Sequence, residues 1–461
     1  MNESTTRTER HFSASASLAA IGVKVRQMDV FGPIRKSVQI AQKTVKHTPT
    51  DKLYDAFISV LAGAQGLVEI NTRLRSDVAL QRAFGRTSCA EQSVVQETLD
   101  HCTSENVRQM EQAMDTIYRQ HSQGYQHDYT HDWQILDVDM SGMPCGKKAA
   151  FATKGYFAKQ RNRRGRQLGR VLAMRYEEVV VDRLFDGTTQ LSRALQPLIQ
   201  AAEQTLELDE RKRARTLVRI DAGGGSVDDV NWLLAGGYQI HCKDYSSSRA
   251  KRLAQSVQDW VDDPKVEGRQ VGWVPGPAPE YVRPVRRIAV RCRKSNGQWG
   301  VGVLISMLCP AQVLALTQPM AEPHADPATV LLAYVYLYDQ RGGGVETSFK
   351  GDQQGLGSTK RSKKRFEAQQ MVMLLGTLAH NLIIWAHRWL TPAASPGKLQ
   401  HYGLLRMVRD VFHISGFLVF DALGQLIEIV LNRSAPLAPT LVTVLPQLLT
   451  LAHVAIRLGE T

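Results

Sequence analysis

Two rhythms of apolar residues alternate along the chain. From Asp51 to His121 the spacing is helical: Leu53, Phe57, Val60 and Leu61 share one face, and Val107, Met110, Met114 and Ile117 share another. Ser104 is the expected N-cap of the latter helix, with Glu105 in its first turn. Ser88 to Leu99 predicts a shorter helix between them, and Arg73, Arg75, Arg82 and Arg86 precede it. This region is either a helix-turn-helix-like DNA module or an all-helical cap.

From Gln134 onward, short runs rich in Val, Ile and Leu take over. Gln134 to Asp139, Thr216 to Asp221 and Tyr238 to Lys243 predict strands, and Arg170 to Val181 predicts one or two more. Helices are expected through Leu191, Leu195, Leu198 and Ala202, from Val227 to Leu234, and through Ala250, Leu253, Val257 and Trp260. Asn296-Gly297 lies between two strand-like runs within Arg283 to Leu308, which predicts a hairpin. Asp326-Pro327 is a cap and first-turn pair for a helix over Val330 to Leu337. Met371 to Trp385 reads as a buried helix, since it holds Thr377, His380 and Asn381 and falls short of the about 20 residues that span a bilayer. Thr391 to Pro396 ends that helix, and the rest predicts a small helix, hairpin and helix module.

Alternating strands and helices define an α/β chain, and 461 residues suffice for two or three domains. The expected divisions are a disordered lead-in over 1–20, a helical region that binds DNA ends over 21–130, a catalytic domain over 131–390 with a β-rich insertion at about 265–320, and a C-terminal α+β module over 391–461. The Ser- and Thr-rich start lacks the apolar core of a signal peptide.

Composition adds a partner. The 57 Lys and Arg against 44 Asp and Glu leave a net charge of +13, which suits a polyanion, most commonly nucleic acid. The basic residues cluster. Lys159, Arg161, Arg163, Arg164 and Arg166 crowd one loop, and Lys360, Arg361, Lys363, Lys364 and Arg365 crowd another, where phosphates would relieve their mutual repulsion. A merely solvated surface is the alternative for the first. Six scattered cysteines without a Cys-x-x-Cys pair indicate neither zinc nor a disulfide framework, and a reduced, intracellular setting fits. The glycines after Asp221 precede no Gly-Lys-Ser/Thr, so they read as room for a close backbone approach and not as a nucleotide loop.

The candidate chemistry lies in three carboxylates. Asp139 and Asp221 each close a strand just before turn residues, where open α/β sheets carry their sites. Asp137, two residues before Asp139 and on the same strand face, is an alternative to it. Glu346 follows a long apolar run and stands among basic side chains, in Tyr338 to Lys350. Three carboxylates make an oxygen-only donor set suited to Mg²⁺ or Mn²⁺.

In these motifs and their order, over about Ile135 to Leu390, the chain resembles the DDE insertion-sequence transposases with an RNase H-like core, in the group with a Tyr-x2-Arg-x3-Glu-x6-Lys signature. Tyr338, Arg341 and Glu346 carry the match, with Asp139 in Asp-Met-Ser and Asp221 in Ile-Asp-Ala-Gly. Four residues separate Arg341 from Glu346 where the group has three, and Gln353 stands where it has Lys. The resemblance implies an RNase H-like catalytic core with a β-rich insertion, and strand cleavage followed by strand transfer by two-metal-ion phosphoryl transfer at Asp139, Asp221 and Glu346. Double-stranded DNA is expected to meet Tyr338, Arg341 and Lys350 together with Arg161, Arg163, Arg164, Lys363 and Lys364 of the basic clusters, with Arg341 on phosphate oxygens; the alternatives are an ordinary ion pair for Arg341 and a core-edge position for Tyr338. A homodimer in the synaptic complex and a bacterial, cytoplasmic, nucleoid-associated location follow from the same resemblance. The alternatives are an RNase H-like nuclease that cuts without joining, and a DNA-binding relic or repressor that no longer cuts.

Overall fold

The computed structural model describes residues 8–44, 46–155, 157, 162–317, 326–391, 397–450 and 452–460. The chain divides into two units, one formed by residues 1–122, 145–150 and 349–461 and the other by residues 123–144 and 151–348.

In the first unit, strand β1 (Glu9–Ser13) is the edge of a four-stranded sheet. It pairs antiparallel with Gly416–Phe420, which pairs antiparallel with Leu426–Asn432, and the last strand, Ala455–Gly459, runs parallel to that. The helix Ala16–Gln27 follows, buried through Ala16, Leu18, Ala19, Ala20, Ile21 and Val25. The expected disordered lead-in is therefore corrected beyond its first seven residues, which lie outside the described residues. Its small side chains permit close helix packing, and a low-hydrophobicity, Ser- and Ala-rich stretch conceals that in sequence. The C-terminal module is likewise not separate, because β1 completes its sheet.

The helix Phe366–Leu390 is buried along almost its whole length. It packs on the helices Pro49–Leu61, Gln92–His101 and Ser104–His121. It was expected to close the catalytic domain; instead it is the spine of the helical unit, and its continuous apolar surface is matched by theirs. Arg365 donates to the carbonyls of Asp100 and Cys102 at the end of Gln92–His101, with Nη2 3.2 Å from the Cys102 oxygen. The N-cap of Ser104–His121 is Thr103 and not Ser104: Thr103 accepts from Asn106 N, and Asn106 returns the bond to Thr103 N at 3.0 Å.

The second unit is built on one ten-stranded sheet. Its strands are β2 (Gln134–Pro144), β3 (Thr153–Lys154), β4 (Arg164–Ala173), β5 (Glu178–Asp186), β6 (Thr216–Ile220), β7 (Gln239–Lys243), β8 (Val261–Asp262), β9 (Arg269–Trp273), β10 (Arg286–Arg293) and β11 (Trp299–Ser306). β2, β6 and β7 run parallel at its centre, with β4 antiparallel on the far side of β2 and β5 antiparallel beyond β4. Every residue of β6 is buried, as expected of a parallel strand covered on both faces. On one face, Ile135 and Leu217 pack against Leu331, Tyr334 and Leu337 of the helix Pro327–Arg341. On the other lies the helix Leu191–Leu206, whose Leu198 fills the space over Gly169 of β4.

The hairpin predicted around Asn296-Gly297 is β10 and β11, and Gly297 has the positive φ of 78° that its turn requires. β11 pairs with β7, so the expected insertion extends the central sheet. The helix at Ala250 ends at Ala254, before Trp260. No helix among the described residues is long and apolar enough to cross a membrane, and none of the six cysteines is in a disulfide.

Candidate active site

The register of β2 and β6 sets two carboxylates side by side. Val138 and Ile220 are their last paired residues, and Asp139 and Asp221 come next on each strand. Asp221 stays half-buried and accepts from Gly223 N at 2.8 Å. A Cβ on Gly225 would overlap the Lys243 carbonyl oxygen, so the close backbone approach expected of these glycines is present.

One pleat below, Asp137 and Arg219 are cross-strand partners and both are fully buried. Arg219 grips Asp137 with both forks, Nε to Oδ1 at 2.6 Å and Nη2 to Oδ2 at 2.8 Å. Asp137 is thereby committed to an ion pair, and Asp139 is the carboxylate of the two that keeps some access to solvent, its side chain 17% exposed.

Glu346 arrives on the helix that begins at Pro327. Asp326 caps it, accepting from Ala328 N and Thr329 N at 2.9 and 3.1 Å. The helix runs to Arg341 and is broken at Gly344, whose dihedrals (φ −92°, ψ −108°) are not helical, before helix resumes at Thr347. The kink re-aims the chain between the two helices and sets where Glu346 projects. Gly344 lies so close to Asp137 that a Cβ there would stand 2.5 Å from Oδ2. Glu346 is exposed.

Asp139 feels the charges of both other acids. Burial pushes the Asp139 carboxyl up to about 6, and the charges of Asp221 and Glu346 push the same way. Arg341 opposes them, its Nη2 being 3.3 Å from Asp139 Oδ2 and 3.3 Å from the Val138 carbonyl oxygen. Among the described residues, no three His, Cys, Asp or Glu side chains are already gathered at metal-holding distance.

The expected role of Arg341 is corrected here. The side chain is only 2% exposed and turned onto Asp139, not onto open solvent where a phosphate would lie. Tyr338 is half-buried, with Arg341 Cζ 5.6 Å from its ring centre and the His241 ring edge-on at 6.3 Å. Burial raises its hydroxyl to about 12. Burial also holds His241 down at about 3, hence neutral, with Nε2 2.9 Å from the Tyr334 carbonyl oxygen.

The basic candidates divide. Arg163, Arg164, Lys350 and Lys364 are exposed, and Arg164 donates to the Ala152 carbonyl at 3.2 Å. Lys159 and Arg161 lie outside the described residues. Lys363 is buried, its Nζ 2.7 Å from Gln96 Oε1, and Arg361 is buried on the Ala64 carbonyl. The expectation that Lys363 meets DNA is thus corrected: desolvation lowers its amine to about 8, and its position serves the helical unit.

Sequence reasoning missed the inward arginines. Arg219 lies two residues before Asp221, as Asp137 lies two before Asp139. That matched spacing was the available signal, since an Arg inside an apolar strand demands a buried partner. Arg170, also buried, is paired with Asp182 at 2.7 and 2.8 Å and donates to Ser348 Oγ at 3.0 Å.

No protein-family model and no curated protein sequence matches the chain. Among solved structures it is similar to a piggyBac transposase in a synaptic complex with hairpin DNA, at 12% identity over 88% of this chain and 82% of that one, with a TM-score of 0.46. At that score and identity the likeness bears on neither the residues of the site nor their chemistry.

Proposed function

We propose that the chain is a DNA transposase that cleaves and joins strands by metal-dependent phosphoryl transfer on an RNase H-like core. What supports this reading is the register that sets Asp139 and Asp221 side by side at the ends of two adjacent parallel strands, with the Glu346 charge near enough to raise the Asp139 carboxyl. The order β5, β4, β2, β6, β7, with β2, β6 and β7 parallel and β4 antiparallel, supports the same core.

The donor set fits a hard divalent cation in its chemistry, being all carboxylate oxygen, with Asp139 desolvated and repelled by its neighbours. Asp139, Asp221 and Glu346 would hold it. The chemistry that bound Mg²⁺ or Mn²⁺ supplies is polarisation of the phosphoryl group and acidification of the attacking hydroxyl. The chain's own residues do the rest. Asp139 must be ionised to serve, and Arg341 favours that form. Arg163, Arg164, Lys350 and Lys364 neutralise DNA phosphates from exposed positions. In this reading two copies act together on paired DNA ends, in the bacterial cytoplasm at the nucleoid.

A second reading, a DNA-binding relic, is favoured by the ion pair of Arg341 with Asp139, which already places a cation on that carboxylate. The two readings part on cleavage of DNA carrying the element's flanking repeats, in the presence of Mg²⁺. The proposal expects cutting at the repeat ends, then joining, both lost in Asp221→Ala. Cutting without joining indicates a nuclease, and tight end binding without cutting indicates the relic.

A further inference from the structure

Two arginines that rise from the sheet hold the chain before and after Glu346. On one side Arg219, already held by Asp137, extends Nη1 to the Leu337 carbonyl at 2.7 Å and to Gln340 Oε1 at 3.5 Å. Those acceptors lie on the last turns of the helix before Gly342. On the other side Arg170, held by Asp182, donates to Ser348 Oγ, which in turn donates to the Val345 carbonyl at 2.8 Å. Between the anchors lie Gly342, Gly343 and Gly344, the most permissive stretch of backbone near the site.

A triple glycine at a break between two helices does not fix the direction of the side chain two residues later. External contacts must do so. Each guanidinium here is fully buried and uses its fork on a strand carboxylate, so its position is set by the sheet. The remaining N–H groups pass that position to the helix, before the glycines and after them.

We propose that Arg219 and Arg170 are positioning residues that clamp the 337–348 segment to the sheet and so hold Glu346 toward Asp139. The consequence for catalysis rests on the transposase reading; the clamp itself does not. Arg219 ties the segment to the strands that carry Asp139 and Asp221, and Arg170 ties it to the strand beside them, since Arg170 is the cross-strand partner of Asp139. Supporting groups of this kind typically cost about ten- to a hundredfold in activity when removed.

The test compares the native full-length chain with Arg219→Lys and with Ser348→Ala. Ser348→Ala removes the second anchor at a half-buried hydroxyl, and so remains informative if Arg219→Lys does not fold. Backbone hydrogen–deuterium exchange is read over 337–348, and Mg²⁺-dependent DNA cleavage and DNA affinity are measured on the same preparations. The clamp predicts faster exchange confined to 337–348 in either variant, with cleavage down about tenfold or more at unchanged DNA affinity. Unchanged exchange over 337–348 in both variants overturns it. A rise spread across residues 123–348 also overturns it, because that marks general support of the fold. Localised faster exchange in a chain that never cuts, even as native protein, upholds the clamp and rejects the transposase reading.

Discussion

Arg341 and Asp139 meet through a single contact, Nη2 to Oδ2 at 3.3 Å, and both are largely withdrawn from solvent. The pair is electrostatically unequal. Arg341 faces one carboxylate directly, while Asp139 also feels Asp221, Glu346 and its own burial, so its carboxyl still lies near 6 and not at 3.8. The folded state therefore holds the proton more tightly than the unfolded chain does. The stability contributed by this group falls as pH rises from about 4 to about 6 and stays lost above that. Asp139→Asn should accordingly raise stability at pH 7.5 by at most about 3 kcal/mol, and the melting temperature with it, the gain fading to nothing near pH 4. Thermal melts of both chains across that range check the sign.

Removing the opposing charge should act in the other direction. In Arg341→Gln the Asp139 carboxyl loses its nearest cation and rises above about 6. Carboxyl-resolved NMR titration reads this shift, and an unchanged Asp139 midpoint would mean that the contact has no electrostatic consequence.

Gly344 is constrained by a neighbour. Its missing Cβ leaves room for the Asp137 carboxylate that Arg219 holds. Gly344→Ala should destabilise the chain by about 1–3 kcal/mol, as overpacking does. Gly342→Ala and Gly343→Ala, where a Cβ would meet nothing within 4 Å, should change stability far less. Denaturant titrations of the three variants separate these outcomes.

Caps give a check on the helical unit. Thr103→Ala should cost about 1 kcal/mol, and Ser104→Ala about half of that or less. Equal losses in chemical denaturation would return the cap to Ser104.

Much of the central sheet was legible because its strands are short β-branched runs ended by turn residues, and Asn296-Gly297 marked its hairpin locally. The side-by-side placement of Asp139 and Asp221 was readable for the same reason, since each is the residue at which an apolar run stops. What was not legible depends on partners far along the chain. β1 reads as polar lead-in until Gly416–Phe420 pairs with it, and Phe366–Leu390 has no sequence mark assigning it to the helical unit. The sequence leaves Arg341 open between a phosphate contact and an ion pair, and only the fold, which sets it against Asp139, decides for the ion pair. Lys363 and Lys364 are neighbours of one type, and the fold alone separates them, one on Gln96 and the other exposed.

That separation predicts a difference in DNA binding. Lys364→Ala, Lys350→Ala and Arg163→Ala should each weaken binding and lower the slope of log affinity against log salt by about 1. Lys363→Met should leave the slope unchanged. Fluorescence anisotropy over a salt series measures both.

The proposed transposase function is tested most directly by Mg²⁺-dependent cutting of DNA carrying transposon terminal repeats, by the native chain and by Asp221→Ala and Glu346→Gln. The carboxylate site predicts cleavage at the repeat ends by the native chain, strand joining thereafter, and loss of both in each variant at undiminished DNA binding. Cleavage that persists in both variants, or a native chain that binds the ends and never cuts them, would contradict it.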